Sequence, residues 1–182
     1  MAAGAPPPPG IELIAGFVNT IDLEDETDQI TDRRALGEWL GGHDLLPAGS
    51  SVSDADVRRA HDIREAIRAL ILANNGGPLD GAAIETLNAA ARQAQLHVSF
   101  GADGRAELVP DQSGVPGALA RILGLTYTSM ADESWPRLKA CRQHTCQWAF
   151  YDQSKNRSRT WCSKKVCGNR TKARAYRERR RG

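Results

Sequence analysis

CRQHTCQWAFYDQSKNRSRTWCSKKVCGNRTKARAYRERR, residues 141–180, holds all four cysteines of the 182-residue chain and half of its 24 lysines and arginines. Cys141 and Cys146 form one Cys-x4-Cys pair, Cys162 and Cys167 a second, with fifteen residues between them. Two close pairs separated by a hairpin's length of chain supply the two halves of a tetrahedral Zn²⁺ site. The gap inside each pair is wider than the common two residues, but four cysteines with none to spare match the coordination number. A redox dithiol pair or unligated core cysteines fit this arrangement less well. A catalytic zinc needs an open position and a nearby acid or base, and Asp152 and Glu178 are the acidic residues at hand. The expectation is therefore one structural Zn²⁺ per chain, held by Cys141, Cys146, Cys162 and Cys167. His144 lies inside the first pair, yet four thiolates already complete the shell.

Within the loop, Trp148 and Phe150 alternate, as do Arg159 and Trp161, about a turn at residues 152–156. This predicts a short β-hairpin with Trp148, Phe150 and Trp161 as a miniature core. After Cys167, Gly168 suits the tight backbone of a metal knuckle and Asn169 can cap a following helix. In that helix Arg170, Arg174, Arg177 and Arg181 recur at helical spacing on one face, and Lys172, Arg179 and Arg180 widen it. The zinc would then fix the start of a cationic helix and aim it.

The charge distribution points the same way. Residues 137–182 carry 15 lysines and arginines against two acidic residues, a net of +13, while the other 136 residues carry 9 against 20, a net of −11. The overall +2 hides this asymmetry, which marks the basic part for nucleic acid ahead of an acidic protein surface.

Upstream, the proline-rich residues 1–10 are expected to be disordered. Residues 11–133 read as a helical domain. Ile11, Leu13, Ile14, Phe17 and Val18 suit a short helix. Thr31 can cap a second, through Leu36, Trp39 and Leu40, that Gly41 and Gly42 stop. Ser53 and Asp56 form a capping box ahead of a long apolar stripe from Val57 to Ile71, ended by the 74–78 turn. A fourth helix runs from about Gly81 to Ala94. Leu96, Val98 and Phe100 alternate before an Asp103-Gly104 turn and a strand over 105–109, a hairpin signal. Pro116 can start a last helix reaching about Ala131. The fold class is thus mostly α: a helical N-terminal domain with one β-hairpin, then a zinc finger of β-hairpin and basic helix at 137–182.

The cysteine segment resembles the CGNR zinc-finger family of bacterial proteins. The resemblance rests on Cys141, Cys146, Trp148-x-Phe150-x-Asp152-x-Ser154, Arg159-x-Trp161-Cys162-Ser163, Cys167-Gly168-Asn169-Arg170 and Lys172-x-Arg174. The stretch Phe17-Val18-Asn19-Thr20, with Trp39-Leu40, Arg64-Glu65-Ala66 and the hairpin, is similar to the helical ABATE domain that usually precedes that finger. The resemblance implies a bacterial transcription regulator, with the four cysteines as zinc ligands and Arg170, Lys172 and Arg174 on the nucleic-acid face. It also implies an N-terminal domain that senses a small molecule or stress signal, but it carries over no effector-binding residues.

The functional expectation is a zinc-dependent DNA-binding regulator. An RNA-binding or ribosome-associated accessory protein is the alternative, since a small basic zinc hairpin with aromatics serves both. An enzyme is not expected: His43, His61 and His97 have no nucleophile motif beside them, and His61 and His97 read as exposed polar residues. The glycine pairs at 41–42 and 76–77 read as helix stops, not as a nucleotide loop. No apolar run reaches the roughly 18 residues of a membrane helix, and no signal peptide is recognisable, so the expected location is the cytoplasm. A homodimer is compatible with the few base contacts that a single finger offers.

Overall fold

The computed structural model describes residues 6–172 and Arg180. The fold is mostly α, with three two-stranded antiparallel sheets among the described residues. Helix α1 (Pro9–Val18) starts two residues earlier than its apolar pattern, because Pro9 occupies the first turn, where a missing N–H costs nothing. Pro9 and Gly10 therefore belong to the helix and not to a disordered tail; residues 1–5 lie outside the described residues. A hairpin that the sequence pattern did not signal follows, β1 (Ile21–Asp22) paired with β2 (Thr27–Asp28). Strands of two residues are too short to show alternation.

Helix α2 (Arg33–Gly42) is capped by Asp32, whose Oδ1 accepts from Ala35 N at 2.9 Å, and not by Thr31. A carboxylate is the better cap beside the positive end of the helix dipole. Helix α3 (Asp54–Ala73) carries the expected capping box, with Ser53 and Asp56 bonded reciprocally. It buries Val57, Ala60, Ile63, Ile67 and Ile71 along one side. Helix α4 (Gly81–Ala94) is capped by Asp80 and ends where Gln95 turns left-handed, at φ 47°. Strand β3 (Leu96–Phe100) pairs with β4 (Ala106–Pro110), Val98 opposite Leu108. Helix α5 (Gly114–Ala131) begins behind Ser113, two residues before Pro116. Gly117 is obligatory there, since a Cβ would fall 2.1 Å from the Gln112 carbonyl oxygen.

The hairpin of the cysteine segment differs from the expected one. Strand β5 (Leu138–Ala140) pairs with β6 (Ala149–Tyr151), Lys139 opposite Phe150. The expected partner, residues 159–161, is irregular. Leu138 and Ala140 offer an apolar face that enters the main core, whereas Arg159 is held by local bonds, its N donating to Asp152 Oδ2 at 2.8 Å and its Nε to Trp161 O at 2.9 Å. Leu138, Ala140 and Ala149 sit in the same buried cluster as Ile11, Phe17, Ile67 and Ile122. The cysteine segment and the helices thus share one core across the change in charge. Trp135, in the connecting 3-10 turn Trp135–Arg137, is buried there too.

Candidate metal centre

The first cysteine pair lies in the β5–β6 connection. Cys141 N donates to Trp148 O at 3.0 Å, and Cys146 N and Gln147 N both donate to Gln143 O, at 2.9 and 3.0 Å. Gln147 completes this knuckle in the left-handed region, at φ 45°. In the second pair, Cys162 precedes and Cys167 lies within a π-helical turn, Lys164–Gly168, capped by Ser163, whose Oγ accepts from Val166 N at 3.3 Å. Ser163 performs the capping expected of Asn169, which lies inside the helical path at φ −71°. Gly168 is not left-handed. Its bare Cα instead allows close approach, as a Cβ there would lie 3.3 Å from Trp161 Cδ1.

The four Sγ atoms lie within 4.8 Å of one another. Cys146 to Cys162 and Cys162 to Cys167 are both 3.6 Å. A regular tetrahedron with Zn–S bonds of about 2.3 Å has edges of about 3.8 Å, so the thiols already stand at the spacing of a Zn²⁺ shell. Cys141, Cys146 and Cys167 are buried, and Phe150 shares their cluster with Trp148 and Trp161 packed against it. Four protein sulfurs leave no open position, which makes the site structural rather than catalytic. The centre holds one structural zinc.

The thiols polarise one another. The hydrogen bond between Cys146 and Cys141 brings the Cys141 thiol down to about 5 and pushes Cys146 up. Burial raises Cys162 to about 12 and raises Cys167 as well. A cluster that holds protons at neutral pH must release them to the solvent as zinc binds. Zinc affinity is therefore expected to fall as the pH is lowered, with more than one proton released per metal. Competition titrations against a chromophoric chelator at two or more pH values check this, and a pH-independent affinity would contradict it.

Beneath the knuckles lies a buried ion pair. Asp152 is fully buried and accepts from Lys139 Nζ at 2.8 Å, from Ser154 Oγ at 2.6 Å and from Ser154 N at 2.9 Å. Burial raises the carboxyl, but the Lys139 ammonium and the other donors outweigh it and hold Asp152 at about 2. Lys139 also donates to Arg159 O at 3.2 Å, tying the strand to the irregular segment that carries Trp161 and Cys162.

Side chains of the helical part grip the backbone of the cysteine segment. Asn19 receives Ala149 N at 2.7 Å and donates to Ala149 O at 3.0 Å. Asn74 donates to Trp135 O and Leu138 O, both at 2.9 Å, and Asn75 to Ala140 O and Thr160 O, both at 2.8 Å. The buried Arg68 donates to Val18 O at 2.6 Å and to Gln147 O at 3.0 Å, beside the metal knuckle. Sequence patterns do not find these residues, because asparagines after a helix read as a stop and arginines on a helix read as solvated. Arg64, equally buried, pairs with Asp28 at 2.8 Å. That pairing also involves His61, whose Nε2 lies 2.7 Å from Ile30 O; His61 is half-buried and bonded, contrary to the expectation of an exposed residue. His97 is exposed and pairs with Asp111 at 2.7 Å.

Of the expected nucleic-acid face, Arg170 and Lys172 lie in α-helical residues 169–172, directly after the last cysteine, and both are exposed. The Arg170 guanidinium pairs with Glu24 in the β1–β2 turn. Arg174, Arg177 and Arg181 lie outside the described residues. Among the described residues no helix is long and apolar enough to cross a membrane.

The family comparisons agree with this geometry. Residues 137–180 match the model of the CGNR zinc finger, and residues 12–132 match that of ABATE, described as a putative stress-induced transcription regulator. Both are regulator or zinc-finger types and not enzyme families. A search of curated proteins finds no match to the chain. With the ABATE match spanning well over half of its residues, followed by the four-cysteine centre, the chain belongs to the ABATE family and ends in a CGNR zinc finger.

Proposed function

We propose that the chain is a zinc-dependent DNA-binding transcriptional regulator of the cytoplasm whose helical part responds to a small-molecule effector. The observation that carries the reading is the order of parts: a rigid four-thiol centre leads straight into helical residues with exposed Arg170 and Lys172. Exposed Arg142 and Lys165 flank the same centre, and the segment's net charge of +13 supplies the long-range attraction to phosphate. In this reading Arg170 and Lys172, next to the metal, contact base edges, Arg174 belongs to the same nucleic-acid face, and Arg177 and Arg181, later in the sequence, act mainly through phosphates.

Sequencing of nucleic acid recovered with the purified protein separates DNA from RNA. On duplex DNA each neutralised phosphate adds about −0.9 to the slope of log affinity against log salt. Arg170→Ala should weaken cognate binding and relax discrimination against a scrambled duplex, while Arg177→Ala should lower the slope. An unchanged slope together with unchanged discrimination would overturn the assignment of the reading helix.

The Glu24 carboxylate occupies Arg170 in the free protein and competes with any anion for it. Glu24→Gln is therefore expected to tighten DNA binding a few-fold at low salt, with the gain fading as salt screens the exposed pair. Fluorescence anisotropy at two salt concentrations reads this effect, and equal affinities at low salt would show that the contact does not oppose binding.

A further inference from the structure

The helical part contains an apolar groove of about 480 Å³ that no part of the metal centre uses. One face of α4, through Leu87, Asn88 and Ala91, forms one wall; Leu70 of α3, Leu123, Tyr127 and Met130 of α5 and the β3–β4 hairpin form the rest. Three helices and a hairpin make a concavity within the usual range for small-molecule sites, roughly 300–1,000 Å³. Leaving it open is costly: Ile84, Tyr127 and Met130, all on the groove, are 38%, 62% and 44% exposed. The lining contains no charged residue and no histidine. The Thr126 hydroxyl there is already committed to Ile122 O at 2.9 Å.

From this we infer that the α3–α4–α5 groove binds an uncharged, mainly aromatic small molecule. An ionised ligand would lose its hydration with no counter-charge in the lining to replace it. A flat ring suits Tyr127 and the Met130 thioether, which favour aromatic partners by stacking and sulfur contact. The Asn88 amide and the Tyr127 hydroxyl, both at the groove, are the groups available for one or two orienting hydrogen bonds. The wall is also joined to the finger. Leu70 precedes Asn74 by about one helical turn, and Asn74 holds the Trp135 and Leu138 carbonyls. This inference rests on the effector reading above, for which it names the site and the ligand chemistry.

The test uses the zinc-loaded full chain without nucleic acid, so a failure of DNA binding leaves its result readable. N-phenyl-1-naphthylamine, a neutral aromatic probe, should bind saturably at one site per chain with enhanced fluorescence. Ala91→Trp, which fills the groove from an exposed helix position, should raise its Kd at least tenfold. Asn88→Asp, a milder exposed change that sets a charge beside the site, should raise it several-fold and serves if the larger variant folds poorly. Circular dichroism melts identify variants that keep the fold. Non-saturable binding, or binding unchanged in both folded variants, would overturn the proposal. So would sedimentation showing that the wild-type chain self-associates through this groove, with Ala91→Trp making it monomeric.

Discussion

Stripping zinc from the protein with a chelator is expected to unfold the cysteine segment and to lower the melting temperature of the helices with it. In small zinc domains the metal's binding free energy is the folding free energy, apparent values being about 10–16 kcal/mol. Here the loss does not stay local, because Leu138, Ala140 and Ala149 fill the core that α1, α3 and α5 enclose. Withdrawing a fully buried Leu138 alone forfeits about 1.5–3 kcal/mol of apolar burial, and Asn74, Asn75 and Arg68 lose their carbonyl partners as well. A chain of this size loses about 2–4 °C in Tm per kcal/mol, so a fall on the order of 10 °C in the helical transition follows. Cys162→Ser should reproduce it. Far-ultraviolet melts with and without chelator, alongside tryptophan fluorescence for Trp148 and Trp161, measure both parts. A helical transition unmoved by chelation would show that the shared core contributes little.

Lys139→Met is expected to cost about 3–5 kcal/mol, the range for breaking a buried pair by removing one partner. Methionine nearly matches the volume of the lysine stem, so the loss is polar: Asp152, fully buried, keeps its Ser154 and Arg159 donors but loses the ammonium at 2.8 Å, and the Arg157 and Arg159 carbonyls lose the same donor. The double variant Lys139→Met/Asp152→Asn removes the stranded charge and should recover a good part of the loss. Urea unfolding of the zinc-loaded variants at neutral pH gives the comparison, and a double variant no more stable than the single would refute the buried-charge account. The pH dependence has a definite sign. Because the folded carboxyl stands at about 2, below the usual 3.9, the pair's contribution is complete above about pH 4 and is lost as the pH falls through about 2.

The metal centre was legible in the sequence because its chemistry is local. Four thiols in two close pairs admit few arrangements, and the fold brings their sulfurs within 4.8 Å of one another. The long helices were legible for a related reason: the Ser53–Asp56 capping box and the stripe from Val57 to Ile71 state a start, a period and a buried face within a single segment. The finger's hairpin was not. Alternation at 148–150 and 159–161 marks both segments as extended but does not choose their partner, and Leu138 and Ala140 won because their apolar face had a core to enter.

By itself, then, the sequence determined the composition of the metal shell, the helix order and the separation of acidic and basic parts, each written in neighbouring residues or in a count. Only the tertiary structure decided that the basic finger and the acidic helices share one core, that Asn19, Arg68, Asn74 and Asn75 hold the finger's backbone, and that Glu24 meets Arg170. These contacts join residues 61 to 146 positions apart. A buried carbonyl requires a donor but does not state which distant side chain will provide it, and that choice is made only when the helices pack.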